Sequence, residues 1–441
     1  MRRVLIANRG AIATRIQRTL RSMGVESVAV FAEADRASLH VAHADHAVCL
    51  GAGSALETYL NGDRLIEIAR EHGVDAIHPG YGFLSENASF AQAVEGAGIV
   101  FLGPTPRQIE CFGLKHEARE LALQADVPLL PGTGLLDSVD DALAEAQAIG
   151  WPVMLKSSAG GGGIGMRPCQ DEAALRANYE IVRGQAANSF GDARVFLERQ
   201  VTAARHVEVQ VFGDGAGKVI VLGDRDCSLQ RRNQKVIEEA PAPNLANALR
   251  QAMHDAARRL MEAVSYRSAG TVEFLYDRDR EAFYFLEVNA RLQVEHGVTE
   301  MITGVDLVEW MVRLGSGEGE FLAVPERHGA AMQARVYAED PARGFRPAPG
   351  LITALTLPPP HAQVRVDGWV QAGVSVPAEF DPMLVKVLAH GEDRDAARRQ
   401  LQGSLQAMRI DGIQSNLAYL QTALEVGEFV DASHTTASAT A

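Results

Sequence analysis

Residues 286–295 read L-E-V-N-A-R-L-Q-V-E, an unbroken alternation of apolar and polar side chains. In extended chain, successive side chains point to opposite faces. Glu287, Asn289, Arg291, Gln293 and Glu295 therefore share one side, and Leu286, Val288, Ala290, Leu292 and Val294 the other. A solvated strand face usually carries Thr, Lys and Ser; this one gathers two carboxylates, two amides and a guanidinium. One side packs and the other does chemistry. The five polar residues are expected to form one site even where the alternation outlasts the strand.

A hairpin leads into this stretch. Residues 271–276 (T-V-E-F-L-Y) are rich in strand formers, 277–281 are polar and turn-like, and 282–287 return as A-F-Y-F-L-E. The pairing predicts Glu273 beside Glu287 and Asn289. These are hard oxygen ligands of the kind Mg²⁺ takes while leaving positions open for phosphate and water. Adjacent carboxylates repel, so a cation is expected between them. A surface hairpin of solvated acids would leave the following Arg, Gln and Glu unexplained.

The elements that must position this ribbon follow from the rest of the chain. In the first hundred residues, strand patterns at 3–7, 27–31, 75–78 and 99–102 alternate with helical spacing at 12–23 and 65–72, which predicts a parallel, doubly wound unit. Ligands of such sheets gather at the carboxyl ends of strands, here Asn8-Arg9-Gly10 and H-P-G-Y-G-F-L-S-E-N at 78–87. The absence of G-x-G-x-x-G argues against a nicotinamide site. After Lys115 and a helix at 117–125, prolines and glycines at 129–134 mark the start of a small α+β lid.

The lid's strand P-V-M-L-K (152–156) runs into S-S-A-G-G-G-G-I-G-M (157–166). Backbone N–H groups of such a loop can approach phosphate closely, with Gly161, Gly162 and Gly163 as the contacts and Lys156 as the charge. No G-K-[ST] follows, so the loop is expected to cover the phosphates as a flap and exclude water. The lid closes with V-F-L-E-R (195–199), where Glu198 is placed to take a ribose. His206 on the strand at 205–212 is balanced between a packed and a ligand-touching role. Residues 224–235 bring cations toward the hairpin acids, and Cys227 within them is read as packed rather than nucleophilic.

With 441 residues, 47% hydrophobic content and a formal charge of −14, the chain builds a large core and lacks the basic face that nucleic acid needs. Small anionic ligands held by local cations fit better. There is no run of about 20 apolar residues and no secretory signal pattern, so no membrane role and a cytoplasmic location are expected. The four cysteines form neither a C-x-x-C pair nor a zinc spacing.

Seven runs in order, N-R-G, H-P-G-Y-G-F-L-S-E-N, A-G-G-G-G-I-G-M, R-H-V-E-V-Q, C-S-L-Q-R-R, E-V-N-A-R-L-Q-V-E-H and A-E-D-P, closely resemble biotin carboxylases of the ATP-grasp superfamily. The resemblance implies an α/β and α+β architecture: an N-terminal doubly wound (pre-ATP-grasp) domain at 1–114, an ATP-grasp domain at 115–318 with a mobile lid at about 130–204, and a C-terminal biotin carboxylase-type domain at 329–430. Residues 431–441, small and polar, are expected to be a disordered tail. It further implies ATP contacts from Lys115, Lys156, Glu198, Val201, His206, Gln230 and Lys235, and Mg²⁺ or Mn²⁺ held by Glu273, Glu287 and Asn289. Arg291, Gln293 and Val294 would hold bicarbonate, Glu295 would act as its base, and Arg335 would stabilise the biotin enolate.

Within the family, the loop S-S-A-G-G-G-G-I-G-M, Asn233 and the run G-L-K-H-E-A-R most resemble the biotin carboxylase component of urea carboxylases. Guanidine and acyl-CoA carboxylases remain alternatives, as do, more remotely, another ATP-grasp ligase and a non-catalytic nucleotide-binding subunit. Two positions depart from the pattern: Ala11, where Glu is usual, and Gly297, where Pro is usual and whose freedom is expected to loosen the site. No Met-Lys dipeptide occurs, so biotin is expected to arrive on a carrier domain that, like the carboxyltransferase, lies on another chain or an absent domain. Related enzymes suggest a homodimer.

Overall fold

In the computed structural model, which describes residues 1–159, 165–232 and 234–438, the amino-terminal region is a five-stranded parallel sheet. Its order is His46–Gly51, Glu26–Ala32, Arg3–Ile6, Ala76–His78, Val100–Phe101. The apolar runs of the middle strands explain their place, since Val4, Leu5, Ile6, Val28 and Val30 are fully buried. His46–Gly51 is a half-exposed edge strand not foreseen in the sequence despite its apolar run A-V-C-L. Strand order reverses between Arg3–Ile6 and Ala76–His78. There the Asn8 amide donates to the carbonyls of Pro79 and Tyr81, both at 2.8 Å, and so ties the two ligand-facing loops together.

A small unit follows. Met166–Cys169, Val153–Ser157 and Val195–Arg199 form an antiparallel three-stranded sheet, backed by the helices Val139–Ile149 and Glu172–Phe190. Both helices open on a side-chain cap, Ser138 and Asp171. The unit has its own core, in which Leu143, Leu155, Leu175, Tyr179 and Leu197 meet. The glycines expected to touch phosphate, Gly161, Gly162 and Gly163, and the sub-family mark Asn233 lie outside the described residues.

The centre of the molecule is an eight-stranded antiparallel sheet in the order Ala282–Asn289, Arg267–Asp277, Ala204–Asp214, Val219–Arg231, Gln234–Ala240, Ala330–Tyr337, Met383–Gly391, Val364–Gly368. Its last three strands come from the carboxyl-terminal third, so that region continues the central sheet, with Ala334 paired to Ile237. Helices Arg394–Gln406 and Leu417–Ala423 pack against this end. Among the described residues no helix is long and apolar enough to cross a membrane.

Residues 431–438 correct the expectation of a disordered tail. His434 is buried between Asp226 (3.3 Å) and Glu239 (3.7 Å), with its ring against Phe429, and the Thr436 N–H donates to the Ala204 carbonyl at 2.9 Å. Small polar residues bury little apolar surface and therefore read as disordered. One histidine between two buried acids supplies an anchor that composition does not register.

Candidate active site

The hairpin forms as its sequence predicts, with Glu273 directly opposite Glu287 and Thr271 opposite Asn289. Register shifts by one residue between Glu273 and Phe274, leaving Leu286 as the extra residue of a bulge. Leu286 therefore lines the cavity beside Glu287 instead of joining the packed side with Val288, Ala290 and Leu292. The ladder ends at Asn289 and a helix, His296–Thr303, begins just past Glu295. Between them the alternation persists without a strand, and its polar residues still face one cavity of about 470 Å³. Every described residue expected in the site lines that cavity: the ribbon, Glu273, Arg335, Lys115 at the start of a helix, and Lys156, Glu198, Val201, His206, Gln230 and Lys235 from the lid and sheet.

The cation expected between Glu273 and Glu287 is found on one of them only: Lys235 bonds Glu273 and two other acids but not Glu287. Its ammonium donates to Glu208 (2.7 Å), Glu273 (3.0 Å) and Glu295 (2.6 Å). Glu273 also accepts from Asn289 (2.9 Å) and Gln293 (2.8 Å) and lies 2.7 Å from His206. Burial would raise the Glu273 carboxyl, but Lys235 and His206 outweigh it and hold the group well below the usual carboxylate range. His206, pulled down by burial and up by Glu273, ends above its ordinary value, and it lines the cavity. Glu295 accepts from Lys235 on one oxygen and from Arg335, at 2.9 Å, on the other. Lys235, Arg335 and Arg225 overcome burial and lower Glu295 to about 2.

Glu287 behaves differently. Burial and its neighbour Glu273 push it up, with Lys115 opposing, and among the described residues no side-chain hydrogen bond reaches it. A carboxylate that faces a cavity without donors, across from a second carboxylate, fits a divalent cation as its missing partner. Asn289 is at hand to complete the oxygen set.

Several partners were not visible in the sequence. Glu86, on the amino-terminal loop, accepts from Arg291 Nε (2.7 Å) and from the Ala290 N–H (3.2 Å), which fixes the guanidinium against the ribbon. Arg291 also donates to Asn289 at 2.6 Å. Arg225, fully buried, spans Glu208 (2.6 Å) and Gln293 (2.7 Å). Glu238 takes Arg335 at 2.5 Å. Glu86 sits in the quoted run H-P-G-Y-G-F-L-S-E-N, and that run was the available signal.

Glu198, the residue expected to take a ribose, lines the cavity and is held by two cations. Both of its oxygens are engaged, one by Lys156 and one by Arg119. Arg119 belongs to the run G-L-K-H-E-A-R, one turn beyond Lys115 on the helix Lys115–Gln124. The same run supplies His116, whose Nδ1 lies 2.7 Å from Ser158 Oγ, so two of the stretches that mark the sub-family touch.

Gly297 also differs from expectation. A side-chain carbon there would meet Leu388 at 2.3 Å and the Arg365 guanidinium at 2.5 Å, so the position is filled from outside rather than loose. Ala11 is buried beside a second cavity, of about 430 Å³, lined by Tyr81, Phe83, Trp369 and Phe380. Arg291, Val294 and Arg335 line both cavities and so form the wall between them. Cys227 is buried with its thiol pushed well up by burial, which leaves it inert as read.

A parallel doubly wound unit, a lidded antiparallel sheet and a pocket of lysines facing paired acids together define an ATP-grasp ligase. Comparison with known proteins gives the family. Residues 1–109 match the biotin carboxylase N-terminal domain, 115–320 the ATP-binding domain of the carbamoyl-phosphate synthase L chain, and 333–439 the biotin carboxylase C-terminal domain. Biotin carboxylase 1 of Bacillus subtilis is 43% identical over 433 residues, covering 98% of this chain and 96% of that protein. The chain belongs to the biotin carboxylase family.

Urea amidolyase of Saccharomyces cerevisiae is 49% identical over 431 residues, 97% of this chain but 23% of that protein, so the chain spans about a quarter of the length of that relative. The biotin carboxylase domain of Hydrogenobacter thermophilus 2-oxoglutarate carboxylase, a dimer solved with MgADP, ADP and bicarbonate, superposes with a TM-score of 0.95 at 39% identity. The match covers 99% of this chain and 96% of that one. Kluyveromyces lactis urea carboxylase gives 0.81 at 43% identity over 99% of this chain and 32% of that one.

Proposed function

We propose that the chain carboxylates biotin on a carrier domain, using ATP and hydrogencarbonate through carboxyphosphate, as the first half-reaction of a urea carboxylase-type enzyme. The observation that carries this reading is Glu295, an ionised carboxylate between Lys235 and Arg335, beside the wall that divides the two cavities. The fit of MgADP and bicarbonate to the thermophilic neighbour supports the same ligands here.

In this reading Lys156 and Lys235 turn from their carboxylate partners to the phosphates of ATP, and Lys115 joins them there. Arg291 and Gln293 orient hydrogencarbonate, and Glu295 accepts its proton. A hydrogencarbonate oxygen bonds to the γ-phosphorus as the bond to the β-phosphate oxygen breaks, giving ADP and carboxyphosphate. A divalent metal held by Glu273, Glu287 and Asn289 neutralises phosphate charge when bound. Carboxyphosphate then splits to CO₂ and phosphate. The ureido N–H of biotin gives its proton to that phosphate, the strongest base then in the pocket, and the anion forms its N–C bond to CO₂ with Arg335 beside it. The second cavity, sharing Arg335, supplies a route for a tethered biotin that does not cross the nucleotide.

The identity to urea amidolyase and the contact between His116 and Ser158 support the urea assignment. Carrier and carboxyltransferase belong to the rest of the relative's length or to separate chains. The dimer of the neighbouring domain supports a homodimer, which sedimentation of the isolated chain checks. The test of function is ADP release with and without hydrogencarbonate, with free biotin or a biotinylated carrier. Release should depend on hydrogencarbonate and show a higher kcat/KM for the carrier. Release indifferent to hydrogencarbonate contradicts the reading.

A further inference from the structure

Between the end of the ladder at Asn289 and the helix at His296, the backbone carbonyls of the ribbon have no strand to bond to. Side chains hold them instead. His296 Nδ1 takes the Gln293 carbonyl at 2.7 Å, and the Lys386 ammonium donates to the Val294 carbonyl at 2.8 Å. Lys386 is fully buried and lines neither cavity. It lies on Met383–Gly391, directly cross-strand from Arg335 on one side and from Asp367 on the other. Cross-strand partners share a face, so Asp367, Lys386 and Arg335 form a row beneath the ribbon.

We infer that Lys386 is a positioning residue for the hydrogencarbonate site: by pinning the Val294 carbonyl it fixes the planar peptide joining Val294 to Glu295, and with it the direction of the Glu295 carboxylate. This rests on the reading of 291–295 as that site. The peptide plane sets where the Glu295 Cα–Cβ bond starts, and a carboxylate gripped by Lys235 and Arg335 at once tolerates little rotation. The ammonium is otherwise poorly served. Asp367 is 3.9 Å away, already held by Arg365 and Arg18, and the Tyr81 ring lies 5.8 Å off. The neighbouring charges are Arg15 and Arg365, which oppose the ammonium, Asp367 and Glu300, which favour it, and His296 beside it. Burial and the two arginines bring Lys386 down to about 8. A fold seeking only packing has no reason to keep a cation in such a place.

The test compares Lys386→Met with Lys386→Gln, the first similar in bulk without a donor, the second neutral but able to donate. Loss of a charge-assisted hydrogen bond predicts a hydrogencarbonate KM raised at least about tenfold in K386M, with ATP KM within about twofold, and recovery to within about threefold in K386Q. An unchanged hydrogencarbonate KM, or equal rises for both substrates, overturns the inference. Should K386M fail to accumulate, Lys386→Leu, which likewise lacks a donor, decides: its hydrogencarbonate KM should rise at least about tenfold relative to its ATP KM, and a flat ratio counts against the inference. ADP release by the unmodified chain that ignores hydrogencarbonate would sink the underlying reading instead.

Discussion

The acids and cations of the pocket neutralise one another. Lys235 is shared by Glu208, Glu273 and Glu295, and Lys156 is paired with Glu198, so both of these cations are lodged on acids. Glu287 is the carboxylate left over. Replacing it by Gln keeps shape but removes charge, and should cut ADP release by at least about a hundredfold while leaving the melting temperature within a few degrees. Steady-state kinetics beside a thermal melt checks both halves. Lys235→Met makes a separate prediction. The Glu295 carboxyl falls from an ordinary 4.5 to about 2, and Glu273 is also lowered. Between those pH values the unfolded chain binds more protons than the folded one, so stability rises with pH through that window and is lost as pH falls through it. Without Lys235 the two carboxyls return toward their unfolded values, so the stability lost between pH 4.5 and 2 should shrink, seen as a shallower acid limb of melting temperature against pH. Equal acid limbs for the two proteins would contradict the assignment. The ribbon's side-chain chemistry was legible because it is local in sequence. Glu86, Arg225 and Glu238 were not, because their partners lie far along the chain and no periodicity marks such pairs.

At the level of elements, the strand pattern gave the hairpin but not the bulge that turns Leu286 into the cavity, since a one-residue slip leaves no mark in an alternating sequence. The amino-terminal helices and buried strands were readable from apolar spacing, whereas the helices Val139–Ile149, Glu172–Phe190 and Asn247–Ala263, the edge strand His46–Gly51 and the anchored segment 431–438 were not. That segment brings Thr436 to the nucleotide cavity. Ending the chain before Asp431 should raise ATP KM severalfold and leave hydrogencarbonate KM nearly unchanged, since the ribbon lies apart from it. Equal effects on both would show that the segment acts only through overall stability. At Gly297, substitution by Ala forces Leu388 and Arg365 aside, and overpacking of this kind costs about 1–3 kcal/mol, read by denaturant unfolding. A neutral or stabilising result would mean the space is not filled as described.

Across the whole molecule, three regions of sequence meet at one wall. The amino-terminal loop brings Glu86, the hairpin brings the ribbon, and the carboxyl-terminal strands bring Arg335 and Lys386, with the central sheet carrying the last two groups rigidly together. Nucleotide lies on one side of the wall in this account and biotin on the other, and only carboxyphosphate or its CO₂ passes between them. The most direct measurement follows the oxygen. With ¹⁸O-labelled hydrogencarbonate and unlabelled water, attack on the γ-phosphorus leaves one hydrogencarbonate oxygen in the released phosphate. The account predicts singly labelled phosphate, formed in step with ADP. Unlabelled phosphate would mean that water, not hydrogencarbonate, meets ATP in this pocket.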